Sequence, residues 1–219
     1  MDMTILIKIL ITIIVYLFGS IPTAYLLFKI KKGDDIRKYG SGNVGGTNVI
    51  RTVGTGWGLF IIIVDMLKGF LPILAAYLIY PNDFILLAVV STVAILGHVF
   101  PVYIKFRGGK AISTTYGVVV GISALPFISE PVWFRILPLF ITIGIWAIVF
   151  IITRIVSLGS LIAAISTPVI LYFFKYPLAM VIAAFFWALL IFITHRVNIK
   201  RLIRGEEKRI KGGRGINGN

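Results

Sequence analysis

The amino-acid sequence predicts an all-α membrane protein of about seven transmembrane helices, with the N-terminus outside and the C-terminus in the cytoplasm. Three observations carry that expectation. Of 219 residues, 58% are hydrophobic and only 14% charged, and the mean hydropathy of +1.00 lies far above that of a soluble globular domain. Apolar runs of about the bilayer-spanning length, roughly 20 residues, recur along the whole chain. The basic residues are divided unevenly between alternate connections, and positively charged connections stay cytoplasmic.

The first run, about 4–28, has no basic leader and is too long for a secretory apolar region, so it reads as a retained helix. After it come the charged stretch "KKGDDIRKYG" and then "SGNVGGTNVIR", in which Gly40, Gly42 and Gly45 form a literal G-x-G-x-x-G. A dinucleotide-binding loop would need a hydrophobic strand before the glycines and an acid roughly 20 residues later within a βαβ unit. The preceding segment is charged, and the next acid, Asp65, lies inside a long apolar run. What remains is the underlying physics. Glycines bare backbone N–H groups, Ser41, Asn43, Thr47 and Asn48 add hydroxyl and amide groups, and Arg51 follows as an anion partner.

The second run, about 57–79, contains Asp65 and Lys68, which share one helical face at a depth where an unpaired charge is costly. An ion pair that holds the helix and a contact from Lys68 to substrate are compatible readings. The third run, about 84–104, ends with His98 and Pro101, and Gly108, Gly109 and Lys110 then precede the next. His98 reads as a buried histidine hydrogen-bonded at a helix end. The glycines and lysine outline an anion site, because glycine admits close backbone approach and a following helix N-terminus adds free N–H groups. It is not a Walker A loop, since Ile104 and Ala111 stand where glycine and Ser or Thr would be required.

The fourth run, about 111–128, is polar at its start and close to the lower length limit; its Gly117-x-x-x-Gly121 spacing suggests close helix packing. Runs at about 133–153, 156–174 and 178–195 complete the set. Ser157 and Ser160 open the sixth, while His195 and Asn198 lie one helical turn apart at the end of the seventh.

Of the 22 basic residues, 18 fall in 29–56, 105–110, at Arg154 and in 196–214, whereas the alternate connections hold only Arg135 and Lys175. The net charge of +14 is explained by this topology and by anionic lipid headgroups, without nucleic acid. The lack of cysteine removes disulfides, thiol catalysis and thiolate metal sites. One membrane domain over residues 1–204 and a flexible basic tail over 205–219 are expected. Few carboxylates accompany the cationic loops, so neither a metal-assisted hydrolase nor a Ser-His-Asp relay is indicated, and no metal or cofactor is expected. The pattern suits binding of more than one phosphate group at the surface of a membrane that could hold a lipid chain.

These same residues resemble the integral-membrane acyl-phosphate:glycerol-3-phosphate acyltransferases of bacteria, the PlsY type. "GSGNVGGTNVIR" is similar to the family's S-G-N-x-G-A-T-N-x-x-R, "DMLKGF" to D-x-x-K-G, "GHVFPVYIKFRGGK" to G-H-x-F-P-x-x-x-x-F-x-G-G-K, and "HRVNIKRLIRGEE" to H-R-x-N-I-x-R-L-x-x-G-x-E. Motif order fits over nearly the whole chain. Gly46 departs from the usual alanine, Ala111 from a frequent third glycine and Val197 from a common glutamate. The resemblance implies transfer of a fatty acyl group from acyl phosphate to the 1-hydroxyl of glycerol 3-phosphate, at the cytoplasmic face of a bacterial inner membrane, by a monomer.

It further implies that Ser41, Gly42, Asn43, Gly45, Thr47, Asn48 and Arg51 bind substrate phosphate, and that Gly108, Gly109 and Lys110 form a second anion site. Lys68 would contact substrate, and His195, Asn198 and Ser157 would line the acceptor. Ser41, Arg51, Lys110, His195 and Asn198 are the expected catalytic set; either a substrate phosphate oxygen or His195 would take the hydroxyl proton. The rival class is a secondary transporter of a phosphorylated metabolite. Polar islands gathered on one side, with no evident inverted repeat, argue against it.

Overall fold

The computed structural model describes residues 2–209. Among the described residues there are ten α-helices: α1 (Met3–Gly19), α2 (Thr23–Lys32), α3 (Gly46–Thr52), α4 (Thr55–Ile79), α5 (Phe84–Val99), α6 (Ile112–Ala124), α7 (Val132–Thr153), α8 (Val156–Phe173), α9 (Leu178–Thr194) and α10 (Arg196–Ile203). No strand occurs among the described residues. In a bilayer every backbone polar group must be satisfied internally, which helices achieve within one segment.

Among the described residues five helical segments are long and apolar enough to cross a membrane: Met3–Lys32, Thr55–Ile79, Phe84–Ile104, Val132–Thr153 and Val156–Phe173. A sixth arises if α9 and α10 count together, although the chain bends by 65° between them. The expected span at 111–128 is realised as the 13-residue α6, about 20 Å long against a roughly 30 Å hydrocarbon core. Its chain nevertheless runs from one end of the bundle to the other. Lys110, just before it, bonds to Asn198, whereas Phe127, just after it, packs edge-on against Tyr77 and Phe84 with ring centroids 5.4 and 6.1 Å apart.

The first expected span is interrupted. Pro22 lacks an N–H and disfavours helix in the residue before it, so α1 stops at Gly19 and α2 restarts at Thr23. Lys68 of α4 bridges the break by donating to the Ile21 carbonyl oxygen at 2.6 Å.

The buried core centres on α5, α6 and α9, with Leu87, Ile95, Val118, Ile122, Met180 and Trp187 almost wholly enclosed. Large apolar side chains on the outer faces, such as Ile14, Ile152 and Phe185, are exposed in the direction lipid would occupy. Glycine lets α4 and α6 meet backbone to backbone. A Cβ at Gly117 would lie 1.8 Å from the Met66 carbonyl oxygen, one at Gly69 2.0 Å from that of Thr114, and one at Gly121 2.2 Å from the Ile73 side chain. The small-residue spacing in α6 therefore marks a contact, as its sequence suggests.

Candidate active site

The loop from Tyr39 to Gly45 turns sharply because Gly40 and Gly42 adopt φ of 63° and 72°, conformations that cost other residues strain. Asn48, 1% exposed, organises it. Its Oδ1 accepts from the Ser41 N–H at 2.9 Å, and its Nδ2 donates to the carbonyl oxygens of Tyr39 and Asn43, each at 3.0 Å. Asn48 thus sits under the loop with its amide bonded to the backbone. Ser41, Gly42 and Arg51 are exposed above it, and Asn43, Gly45 and Thr47 are half-buried. At Gly46 a Cβ would lie 2.5 Å from the Ile62 side chain and 2.8 Å from the Gly58 carbonyl oxygen, so glycine here lets α3 seat closely on α4.

The second glycine pair is folded back onto the end of α5. Gly108 N–H donates to the Val99 carbonyl oxygen at 3.1 Å and Gly109 N–H to that of His98 at 3.2 Å. These two N–H groups are therefore bonded within the protein. The glycines serve close approach: a Cβ at Gly108 would lie 2.2 Å from the His98 carbonyl oxygen, and one at Gly109 2.3 Å from His98 Nε2 and 2.5 Å from the Val44 carbonyl oxygen. That last contact presses the two glycine loops together. What the second loop presents is Lys110.

Lys68 is engaged within the protein. Its Nζ donates to Asp65 Oδ1 at 2.7 Å, Ile21 O at 2.6 Å and Thr23 Oγ1 at 3.0 Å, which uses all three of its donors. At 3% and 2% side-chain exposure, Lys68 and Asp65 are a buried ion pair that ties α4 to the α1–α2 break. His98 completes this layer, with Nδ1 3.1 Å from Thr114 Oγ1.

Above it runs a polar chain that joins three distant segments. Lys110 Nζ bonds to Asn198 Oδ1, Asn198 Nδ2 donates to Glu207 Oε1 at 2.6 Å, and Ser157 Oγ donates to the same oxygen at 2.7 Å. Ser157 is thereby tied to the tail segment rather than left open. Burial holds the Lys110 ammonium down to about 8, with Glu207 opposing the shift and Arg201 and Arg51 adding to it. Lys110 and Arg51, from the two glycine loops, are thus electrostatic neighbours. His195 stands at the 65° bend between α9 and α10. Its Nδ1 lies 2.8 Å from the Ile191 carbonyl oxygen, so Nδ1 carries a proton and Nε2 is the nitrogen left for a ligand.

Glu207 and Arg201 are the members that residue-by-residue reading passed over. Both lie in the "HRVNIKRLIRGEE" motif, and an acid within so basic a segment was the available signal. The flexible tail expected from 205 onward overlaps the structure only to 209, where Glu207 is held as described; residues 210–219 lie outside the described residues.

The sequence model of a family described as "Glycerol-3-phosphate acyltransferase" matches residues 9–205. A curated relative, the glycerol-3-phosphate acyltransferase of Endomicrobium trichonymphae, is 43% identical over 206 residues, covering 94% of this chain and 97% of its own. Among solved structures, the glycerol 3-phosphate form of PlsY (YgiH), described as an integral membrane glycerol 3-phosphate acyltransferase, superposes with a TM-score of 0.84 at 35% identity, covering 93% of this chain and 96% of that one. The lysophosphatidic acid form of the same protein superposes with a TM-score of 0.81 at 33% identity, covering 93% and 95%.

Proposed function

The chain belongs to the glycerol-3-phosphate acyltransferase family, and from that membership we propose that it transfers a fatty acyl group from acyl phosphate to the 1-hydroxyl of glycerol 3-phosphate. The products are lysophosphatidate and inorganic phosphate. The observation that carries this reading is the contact of the two cationic glycine loops, Gly109 against the Val44 carbonyl oxygen, where Lys110 bonds to Asn198 of the segment that follows His195. A transporter would distribute such groups along a path across the membrane.

An acyl phosphate is a mixed anhydride with a good leaving group, so alignment and charge neutralisation suffice and no acyl-enzyme is needed. The hydroxyl oxygen bonds to the acyl carbon, the bond from that carbon to the phosphate oxygen breaks, and its electron pair leaves with phosphate. The hydroxyl proton passes to a substrate phosphate oxygen or to His195 Nε2. Arg51, whose guanidinium is exposed, suits bidentate phosphate recognition. Lys110 supplies a point charge, and Asn198 holds it. Ser41 and Thr47 offer hydroxyls at the loop surface, with Asn43, Gly42 and Gly45 shaping it; Asn48 supports the loop and Glu207 holds Asn198 and Ser157 in register.

We place the active end in the cytoplasm of a bacterial inner membrane, count α6 as the seventh crossing, and expect a monomer. The test is phosphate release by purified protein. Release from acyl phosphate that depends on glycerol 3-phosphate supports the proposal, and release without the acceptor overturns it.

A further inference from the structure

Arg135 sits in the first turn of α7, at the end of the bundle away from Arg51 and Lys110. It is 8% exposed, and its Nε and Nη1 are buried without a hydrogen-bond partner. A guanidinium cannot shed its charge by losing a proton, and a buried cation with unpaired donors is among the costliest groups a fold can retain. Among the described residues no carboxylate pairs with it; Glu130, five residues earlier, is exposed and makes no salt bridge. The surroundings are polar and incomplete. Ser123 Oγ, also buried, lies beside Tyr176, whose hydroxyl donates to the Arg135 carbonyl oxygen at 2.9 Å.

Tyr176 also belongs to an open groove of about 410 Å³, lined by Tyr172, Phe173, Lys175, Tyr176, Leu178 and Val181. Lys175 is exposed at the turn between α8 and α9, and its neighbour Phe174 packs on Phe134 of α7 with ring centroids 4.8 Å apart. This end of the bundle therefore places an exposed cation, Lys175, on a mostly apolar groove and a buried one, Arg135, behind Tyr176 of its lining, with Trp133, Tyr172 and Phe173 exposed as aromatic groups suited to a membrane interface.

We propose that this is a binding site for a phosphate-bearing lipid of the leaflet opposite the active site. The phosphodiester bonds the Arg135 guanidinium, Lys175 contributes a second charge, and an acyl chain lies along the Tyr172–Val181 groove. The site is separate from the substrate loops, and its chemistry does not depend on the acyl-transfer reading.

The test is the thermal unfolding midpoint of delipidated protein in detergent, titrated with dioctanoyl phosphatidylglycerol, dioctanoylglycerol and inorganic phosphate. The phosphate-bearing lipid should raise the midpoint saturably, and dioctanoylglycerol, which shares its chains, should not. Arg135→Gln should weaken the lipid's half-saturating concentration by about 10- to 100-fold, the span of one or two lost charge-assisted contacts. Lys175→Gln, an exposed change that leaves the fold intact, should weaken it by about threefold to tenfold, since an exposed ion pair is the weaker kind. Should Arg135→Gln fail to fold, the Lys175→Gln titration and the lipid-against-diacylglycerol comparison still decide. Equal shifts from inorganic phosphate at similar concentration would place a free anion at Arg135 and overturn the lipid assignment. Equal shifts from both lipids, or from wild type and Lys175→Gln, would overturn it as well.

Discussion

At the scale of single residues, chemistry is concentrated in two cations that reach one place from different loops. Arg51→Ala and Lys110→Ala each remove a charge-assisted phosphate contact, worth roughly 1.5 to 3 kcal/mol, so kcat/KM should fall about 10- to 100-fold in steady-state assays with each substrate varied. Lysine should replace Arg51 poorly, because a point charge does not reproduce bidentate geometry. The depressed Lys110 ammonium gives a pH dependence of definite sign. The charged form binds phosphate and is lost as pH rises through about 8, so kcat/KM should decline by about tenfold per unit well above that value. Lys110→Arg should move that limb to higher pH, and an unmoved limb would assign it to another group. For His195→Asn, turnover should drop more than donor affinity, since Nε2 is the nitrogen turned to ligand.

Elements place those residues, and they do so through backbone contact that side chains would forbid. Gly109→Ala would drive a methyl into His98 Nε2 and the Val44 carbonyl oxygen, separating the two loops. It should impair both substrates together while the detergent-purified variant keeps its gel-filtration profile. Gly117→Val would part α6 from Met66 of α4; overpacking of this kind costs about 1 to 3 kcal/mol, read as a lowered unfolding midpoint. Asn48→Ala would strand three loop backbone groups at about 1 to 3 kcal/mol each, so activity should collapse.

For the molecule as a whole, the alternation of basic and neutral connections predicts which end faces the cytoplasm. The native chain has no cysteine, so single cysteines report sidedness cleanly. Replacements at Asn82 and Lys38 should label from opposite sides of sealed vesicles; labelling from one side would refute the seven-span scheme. Among the described residues no three His, Asp or Glu side chains converge, and the site offers ammonium, guanidinium and amide groups. Chelator should therefore leave turnover unchanged, and activity lost to EDTA and restored by one divalent ion would reverse that expectation.

Hydropathy, charge asymmetry and motif order by themselves determined the helical membrane class, the family and the residues that gather at one end. Those properties are written locally, because apolar length and charge are sums over neighbouring residues. Tertiary structure alone decided what each polar group does once gathered. Lys68 and Asn48 bear the same donors whatever they meet, and only the Pro22 break and the Gly40–Gly42 turn show which protein groups lie within their reach: Asp65, Thr23 and the Ile21 carbonyl oxygen for Lys68, and the loop backbone for Asn48. Gly108 and Gly109 were legible as close-approach positions, but the approach is to His98 and Val44, partners distant in sequence. Glu207 gained its place because α10 bends 65° from α9 and returns the chain to Ser157, 50 residues away in sequence. Such long-range pairings depend on how helices pack, and no local pattern of apolar and charged residues encodes them.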